Sequence, residues 1–341
     1  MYSQHTRRSS RRRFLRGVTL AGVAGVLGVH PKTAAAEPPP ETTKLRLGRL
    51  AAICPAPYYV AEELLPTEGF TDLQYVNLPG GPHFPKATVA GEIDFGINFI
   101  GPTITRLDAG DPLVLLSGAH LGCFELFASA KVHAIRDLRG KTIALVFGLG
   151  GPEHTFIASI LSYVGIDPRK EVQWVEHAFE TSTQLLAAGK IDAVAAQPPL
   201  SQELRARQIG HVLVNSTLDR PWSQYYCCMV YSHRTFVHRY PVATKRVLRA
   251  ILKAADLCTS EPELVARFLV DKGYAKNYDH ALATMQDVVY RQWREFAPED
   301  TVRFYALRLQ EAGMITSSPQ KIIAEGSDWR FFNELKKELK G

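Results

Sequence analysis

The sequence predicts an α/β protein of two similar lobes, each a doubly wound, mainly parallel sheet, with a helical C-terminal extension. Three observations predict it. VAGEIDFGINFIGP at 89–102 and AAGKIDAVAAQPPL at 187–200 share the pattern A-G-[EK]-I-D, an apolar run and a proline, with Gly91 and Gly189 98 residues apart. Each copy reads as a helix end, a glycine suited to the left-handed C′ position and a short buried strand that stops at a loop. Elsewhere short apolar strands alternate with helical stretches at the pitch of parallel sheets. Beyond Pro241 the periodicity is almost wholly helical.

The first segment is not part of the fold. Ser10-Arg11-Arg12-Arg13-Phe14-Leu15-Arg16, a weakly apolar stretch at 18–29 and Ala34-Ala35-Ala36 have the order of a twin-arginine export signal, cleaved before Glu37. Residues 1–36 hold seven of the 40 basic residues and none of the 34 acidic ones, so the remainder carries a net charge of about −1. The overall +6 therefore belongs to the signal and gives no support for nucleic-acid binding. The first cysteine, Cys54, is too far from the cleavage site for a lipid anchor, and no later stretch is long and apolar enough to span a bilayer. A soluble, exported, monomeric protein is expected, in the periplasm.

After a proline-rich linker at 37–43, the strand 45–53 runs into C-P-A-P-Y and a helix to about Leu65. Strand 73–78 and the loop Pro79-Gly80-Gly81-Pro82 lead to a helix ending at Gly91. Strand 94–99 follows, then a helix to Gly110 and the strand 112–119. The pattern restarts at Ile135. A turn at Asp137-Leu138-Arg139-Gly140-Lys141 precedes the strand 142–147, Gly148-Leu149-Gly150-Gly151-Pro152 opens a helix to Gly165, and 172–176 is a strand. Helix 180–188 enters the second copy, 211–214 is the last strand of this half, and 222–231 returns to the first half. In the helical remainder, Val247, Leu248, Ile251 and Leu252, then Leu264, Phe268 and Leu269, form stripes expected to pack as core.

Proline follows strand ends in Cys54-Pro55-Ala56-Pro57, Gly81-Pro82, Gly101-Pro102 and Gly151-Pro152. Its missing N–H suits a first helical position, which is reason enough for it. Open α/β sheets also bind ligands beyond the carboxyl ends of their strands, where helix N-termini present free N–H groups. Four such loops would converge on one cleft.

With its C-P-A-P-Y-Y-V-A, V-A-G-E-I-D-F-G, I-R-D-L-R-G-K-T-I-A and A-A-G-K-I-D-A-V-A segments behind an export signal, the chain resembles the substrate-binding proteins of ABC importers. The similarity is to the nitrate, sulfonate and taurine group, which includes binders of thiamine pyrimidine precursors. The resemblance implies a type II periplasmic binding protein whose lobes close on a small solute and dock on the transmembrane subunits of a permease. Lobe one would be 44–130 plus 230–341 and lobe two 131–229, with crossovers near 127–131 and 225–230. The ligand it implies is a small organic solute, sulfonate-like or otherwise anionic or heteroaromatic.

Strand ends then nominate the contacts. Asn98 can donate and accept hydrogen bonds, with Gln197 mirroring it from the other lobe. Gly148, Gly150 and Gly151 would bring backbone N–H groups close to a polar head. Tyr58, Phe99, Phe124 and Tyr225 would supply aromatic walls, and Thr103 follows the first strand end. His120 and His154, placed at element ends, would face the cleft. Any of these residues would equally serve packing or a turn.

Five cysteines (54, 123, 227, 228 and 258) show no CxxC spacing and read neither as a zinc motif nor as a disulfide framework. A Cys54–Cys123 bridge is open in an oxidising compartment. His120 and His154 with Cys54, Cys123 and Glu125 offer metal-ligand chemistry without a recognised spacing, so neither a metal nor another cofactor is assigned. Two alternatives remain. One is a metal- or pyridoxal-phosphate-dependent enzyme related to thiamine pyrimidine synthase, which Tyr226-Cys227-Cys228-Met229 faintly resembles, though the two cysteines of a regular strand would face opposite ways. The other is a periplasmic receptor for a sensor protein. No nucleophile elbow, Ser/His/Asp order or paired-carboxylate motif supports catalysis.

Overall fold

The computed structural model describes residues 37–49, 52–78, 80 and 83–340. Residues 1–36, expected to be an export signal, and parts of the loops after the first two strands lie outside the described residues. The first sheet is built from β1 (Lys44–Arg49), β2 (Asp72–Asn77), β3 (Phe95–Phe99) and β4 (Leu113–Leu121), with α1 (Ala56–Val60), α2 (His83–Val89) and α3 (Ile100–Asp108) between them. The second comprises β5 (Glu125–Ala128), β6 (Thr142–Leu145), β7 (Gln173–Glu176), β8 (Ala193–Ala196) and β9 (His211–Asn215), with α4 (Pro152–Tyr163), α5 (Phe179–Ala187) and α6 (Leu200–Ala206) between them. Then β10 (Tyr226–His233) returns to the first sheet.

The strand orders are β2-β1-β3-β10-β4 and β7-β6-β8-β5-β9. In each sheet the fourth position is taken by a strand arriving from the other half and running antiparallel to both neighbours. The two sheets are therefore the same design used twice, and β3 and β8, the strands of the repeated motif, occupy equivalent places. Because β5 already belongs to the second sheet, the chain changes sheets at 122–124, ahead of the expected 127–131. The return lies between β9 and β10, at 216–225, ahead of the expected 225–230.

The repeat has a specific physical basis. Gly91 and Gly189 take φ of +70° and +62°. The next amides donate back into the helix end, Glu92 N to Ala87 O and Lys190 N to Leu185 O, both at 2.9 Å, which is the left-handed cap a side chain resists. The aspartate then clamps the first strand of its sheet. Asp94 N donates to Arg46 O while its Oδ2 accepts from Arg46 N at 2.7 Å. Asp192 N donates to Thr142 O while its Oδ2 accepts from Thr142 N at 3.0 Å. Asp94 additionally pairs with the Arg46 guanidinium at 2.6 Å.

Replacing Asp94 by alanine leaves a part-buried N–H and a guanidinium without their acceptor, a loss of about 2–4 kcal/mol. Asp192→Ala, with a backbone amide at stake, is expected to cost about 1–2 kcal/mol. Urea unfolding of both variants checks the order, and equal costs would show that the Arg46 pair contributes nothing.

The C-terminal helices are α7 (Arg234–Arg239), α8 (Pro241–Ser260), α9 (Pro262–Asp271), α10 (Tyr278–Asp287), α11 (Pro298–Glu311), α12 (Pro319–Gly326) and α13 (Arg330–Glu338). The expected stripe of α8 is buried at Val247, Leu248, Ile251 and Leu252, and α9 buries Phe268 and Leu269, while Leu264 is only half-buried. α11 packs against both α3 and α4, so the extension touches elements of both sheets. Proline opens α8, α9, α11 and α12, far from any strand end, which favours plain helix initiation for most of these residues.

Candidate functional site

Loops after β1, β3, β6 and β8 meet between the two sheets. They enclose a cavity of about 30 Å³ lined by Ala52, Cys54, Pro55, Ile97, Asn98, Phe99, Phe124, Phe147, Pro152, Gln197 and Cys228. That volume is about one water molecule, so the two halves are pressed together around a small seed of a site. The halves touch directly: Ile53 N donates to Pro198 O at 3.4 Å, and Gln202 Nε2 to Asp287 Oδ2 at 3.2 Å. Aromatic rings form one wall across the seam, Phe99 edge-on to Phe124 at 5.3 Å and Phe124 stacked on Phe156 at 5.0 Å. Among the described residues, no arginine or lysine lines the cavity.

Of the twelve residues nominated by the sequence, Asn98, Phe99, Phe124 and Gln197 line this cavity. Asn98 Oδ1 accepts from Phe99 N at 2.9 Å, which orients the side chain at the strand end. Gln197 is buried and its Oε1 makes no hydrogen bond, leaving an acceptor ready at the cavity. Thr103 is fully buried in α3, its Oγ1 likewise without a partner, yet it does not line the cavity.

The glycine loop does not form the expected cradle. Three of its amides are already taken, Leu149 N by Glu176 Oε1 at 3.0 Å, Gly150 N by His154 Nδ1 at 2.9 Å and Gly151 N by Gly148 O at 3.1 Å, and Leu149 is exposed. Gly148 and Gly150 serve the turn itself, at φ of +74° and +76°. The lobe presents Phe147 and Pro152 to the cavity instead. His154 is thus a loop anchor set edge-on to Trp174 at 4.7 Å, and its pKa is pushed down to about 4 by burial.

Tyr58 is a structural bolt. Its hydroxyl accepts from Gly48 N at 3.0 Å and donates to Phe95 O at 2.8 Å, tying β1 to β3 away from the cavity. Tyr225 stacks on Phe304 at 4.1 Å, outside the lining.

Residues 38–268 match the model of the NMT1-like family, well over half of the chain. The chain belongs to the NMT1-like family. A Brachyspira hyodysenteriae protein named as an ABC transporter periplasmic binding protein is 26% identical over 199 residues, 56% of this chain and 55% of the relative. The match thus spans about half the length of that curated relative. Among solved structures, the periplasmic nitrate-binding protein NrtA from Synechocystis PCC 6803 superposes with a TM-score of 0.71 at 16% identity, covering 89% of this chain and 90% of that one. The alkanesulfonate-binding protein SsuA from Xanthomonas axonopodis pv. citri, bound to MOPS, gives 0.62 at 20% identity, covering 83% and 96%. The fold of this NMT1-like protein is accordingly the two-lobed periplasmic binding protein fold. Among the described residues no helix is long and apolar enough to cross a membrane.

One feature of this NMT1-like chain goes beyond the strand-end pattern. Cys54, Cys123, Cys227 and Cys228 gather around His120 beneath the cavity, and all five cysteines of the chain are free thiols. The expected partners Glu125 and His154 lie outside the cluster, Glu125 facing Arg205 at 3.5 Å. Cys227 and Cys228 do not face opposite ways as in a regular strand. β10 changes register on either side of Cys228, and the resulting bulge brings both sulfurs to His120. Hydrogen bonds from the Cys123, Cys227 and Cys54 thiols hold the Cys228 thiol well below its ordinary pKa. Burial pushes the Cys123 and Cys227 thiols up. No spacing rule could have found this group, because its members are joined by sheet topology rather than by local sequence.

Proposed function

We propose that the protein binds a small organic solute between its lobes and delivers it to an ABC permease, acting as an exported periplasmic monomer rather than an enzyme. In this reading the lobes are 44–130 plus 230–341 and 131–229, with the first boundary drawn back to about Gly122 to follow the sheets. The observation that carries it is the meeting of Asn98 and Gln197, each at the end of its lobe's repeated strand, in one aromatic-walled cavity. The cavity of about 30 Å³ admits such a solute only once the lobes part a little, and an amide from each lobe can grip it only while they stay close, which couples closure to occupancy. The family and the binding proteins it resembles support delivery to a permease.

The solute class is a small compound with an apolar or aromatic body and one polar head, sulfonate-like or heteroaromatic. The lining favours the heteroaromatic end of that range. It has amides and rings but no cationic side chain, and the glycine-loop N–H groups are already engaged.

A thermal-shift screen against sulfonates, nitrate, aromatic acids and pyrimidines tests this. A true ligand at 100 times its Kd adds about 2.7 kcal/mol and raises Tm. Asn98→Ala and Gln197→Ala should each weaken that ligand roughly tenfold, about 1.4 kcal/mol; Gln197→Ala should leave the Tm of the unliganded protein unchanged, whereas Asn98→Ala lowers it because the buried Phe99 N–H loses its acceptor. Affinity unchanged in both variants would remove the site, and no stabilising solute in any class would remove the reading.

A further inference from the structure

We propose that the cysteine–histidine cluster beneath the cavity is a binding site for one soft d10 cation, Zn(II) or Cu(I), with His120 as the shared ligand. The donor atoms of Cys54, His120 and Cys123 all lie within 4.8 Å of one another, and so do those of His120, Cys227 and Cys228. Cys123 Sγ and Cys227 Sγ are 3.1 Å apart. Tetrahedral coordination with metal–sulfur bonds of about 2.3 Å sets donors about 3.8 Å apart, within reach of small side-chain adjustments here.

An independent observation comes from the histidine. Its Nδ1 lies 3.2 Å from the Leu121 carbonyl, and the Nδ1–H tautomer that this bond requires leaves the Nε2 lone pair free. Nε2 is buried and has no hydrogen-bond partner, on a side chain only 1% exposed. A backbone carbonyl fixing one imidazole nitrogen while the other points at sulfur ligands is the usual outer support of a metal-bound histidine.

The donor set decides the metal class. Four thiols and an imidazole, with no carboxylate in either triad, offer nothing to Ca(II) or Mg(II) and suit soft or borderline cations. Cys54 and Cys228 also line the cavity, which gives an ion a way in when the lobes part. Cys123 follows β4 and Cys227 opens β10, so a bound ion would join the two segments that connect the sheets. The inference stands apart from the solute reading, since metal uptake without any solute, or the reverse, would separate the two.

The test uses the full chain, fully reduced and under argon. Zn(II) competed against a chromophoric chelator should bind at one equivalent, and Co(II) in its place should show thiolate charge-transfer and tetrahedral d–d bands. His120→Ala and Cys228→Ser should weaken Zn(II) by more than roughly tenfold and bleach the Co(II) bands. Cys258→Ser, a buried thiol of α8 outside the cluster, should change neither. Should His120→Ala fail to fold, Cys54→Ser serves in its place. Less than one equivalent of Zn(II), a Co(II) spectrum without thiolate bands, or full binding by a Cys54→Ser/Cys228→Ser double variant would overturn the proposal.

Discussion

Substituting Gly101 by leucine is expected to weaken solute binding by roughly 100-fold or more while leaving each lobe folded, because the affinity falls with the fraction of molecules able to close. Gly101 lies in the first turn of α3, and a Cβ there would stand 2.3 Å from Thr155 Oγ1 and 2.5 Å from Thr155 Cβ on α4 of the other lobe. Thr155 has no easy retreat. Its hydroxyl donates to Gly151 O at 3.0 Å and Pro152 O at 3.1 Å, which holds the rotamer. The clash therefore has to be relieved by parting the lobes, and the parting separates Asn98 from Gln197. Titration calorimetry with the solute found by screening measures the loss, and small-angle scattering reports the opening. In a Gly101→Ala background, Thr155→Gly should recover much of the affinity, since it removes the opposing side chain at about 1 kcal/mol of helix stability. Wild-type affinity in Gly101→Leu would mean that closure at this seam is not part of binding.

How far the molecule could be read from its sequence depended on whether a residue's job is local. The repeated A-G-x-I-D was legible because the cap glycine and the following strand are dictated by neighbours a few residues away, and both copies proved to occupy equivalent strands. The purpose of the aspartate was not legible, because its partners, Arg46 and Thr142, lie 48 and 50 residues distant. The same distinction sorts the site. Asn98 and Gln197 sit at strand ends, a position that sequence periodicity locates. The glycine loop looked like a cradle because nothing nearby shows that Glu176 has already taken the Leu149 amide. β5 was missed, since four residues, ELFA, carry no alternation of their own and owe their pairing to strands of both neighbours. The thiol cluster combines both difficulties: its members come from four places in the chain, and the bulge in β10 breaks the alternation on which a strand reading relies.

The buried pair Glu153 and His154 should contribute nearly nothing to the pH dependence of stability between about pH 4.5 and 6.5 and a loss of about 2 kcal/mol from pH 6.5 to 8, a loss that Glu153→Gln should remove relative to wild type. Glu153 is fully buried in the first turn of α4, and neither oxygen makes a hydrogen bond of normal geometry. A helix start favours a carboxylate, but loss of water outweighs it, and the pKa is pushed from 4.5 up to about 8. The native state then keeps a proton that the unfolded state gives up above pH 4.5, so this group makes stability drop as pH rises from 4.5 to 8. Its neighbour works in the opposite direction. His154, held neutral by burial with a pKa of about 4 against 6.5, leaves the unfolded state richer in protons between those values, so stability rises with pH across them. Where the windows overlap, one proton lost is matched by one gained and the slopes cancel. Of this pair only Glu153 remains active above pH 6.5, and 1.5 pH units at one proton correspond to about 2 kcal/mol. Glutamine keeps the shape without the proton. Urea unfolding of the two proteins at pH 6.5 and 8 isolates the effect, because both carry His120 and Cys228 alike. An equal decline in wild type and Glu153→Gln would mean that the buried carboxyl is ionised after all. It would then need a counter-charge, and the cavity beside Pro152 would be the place to look for a cationic solute.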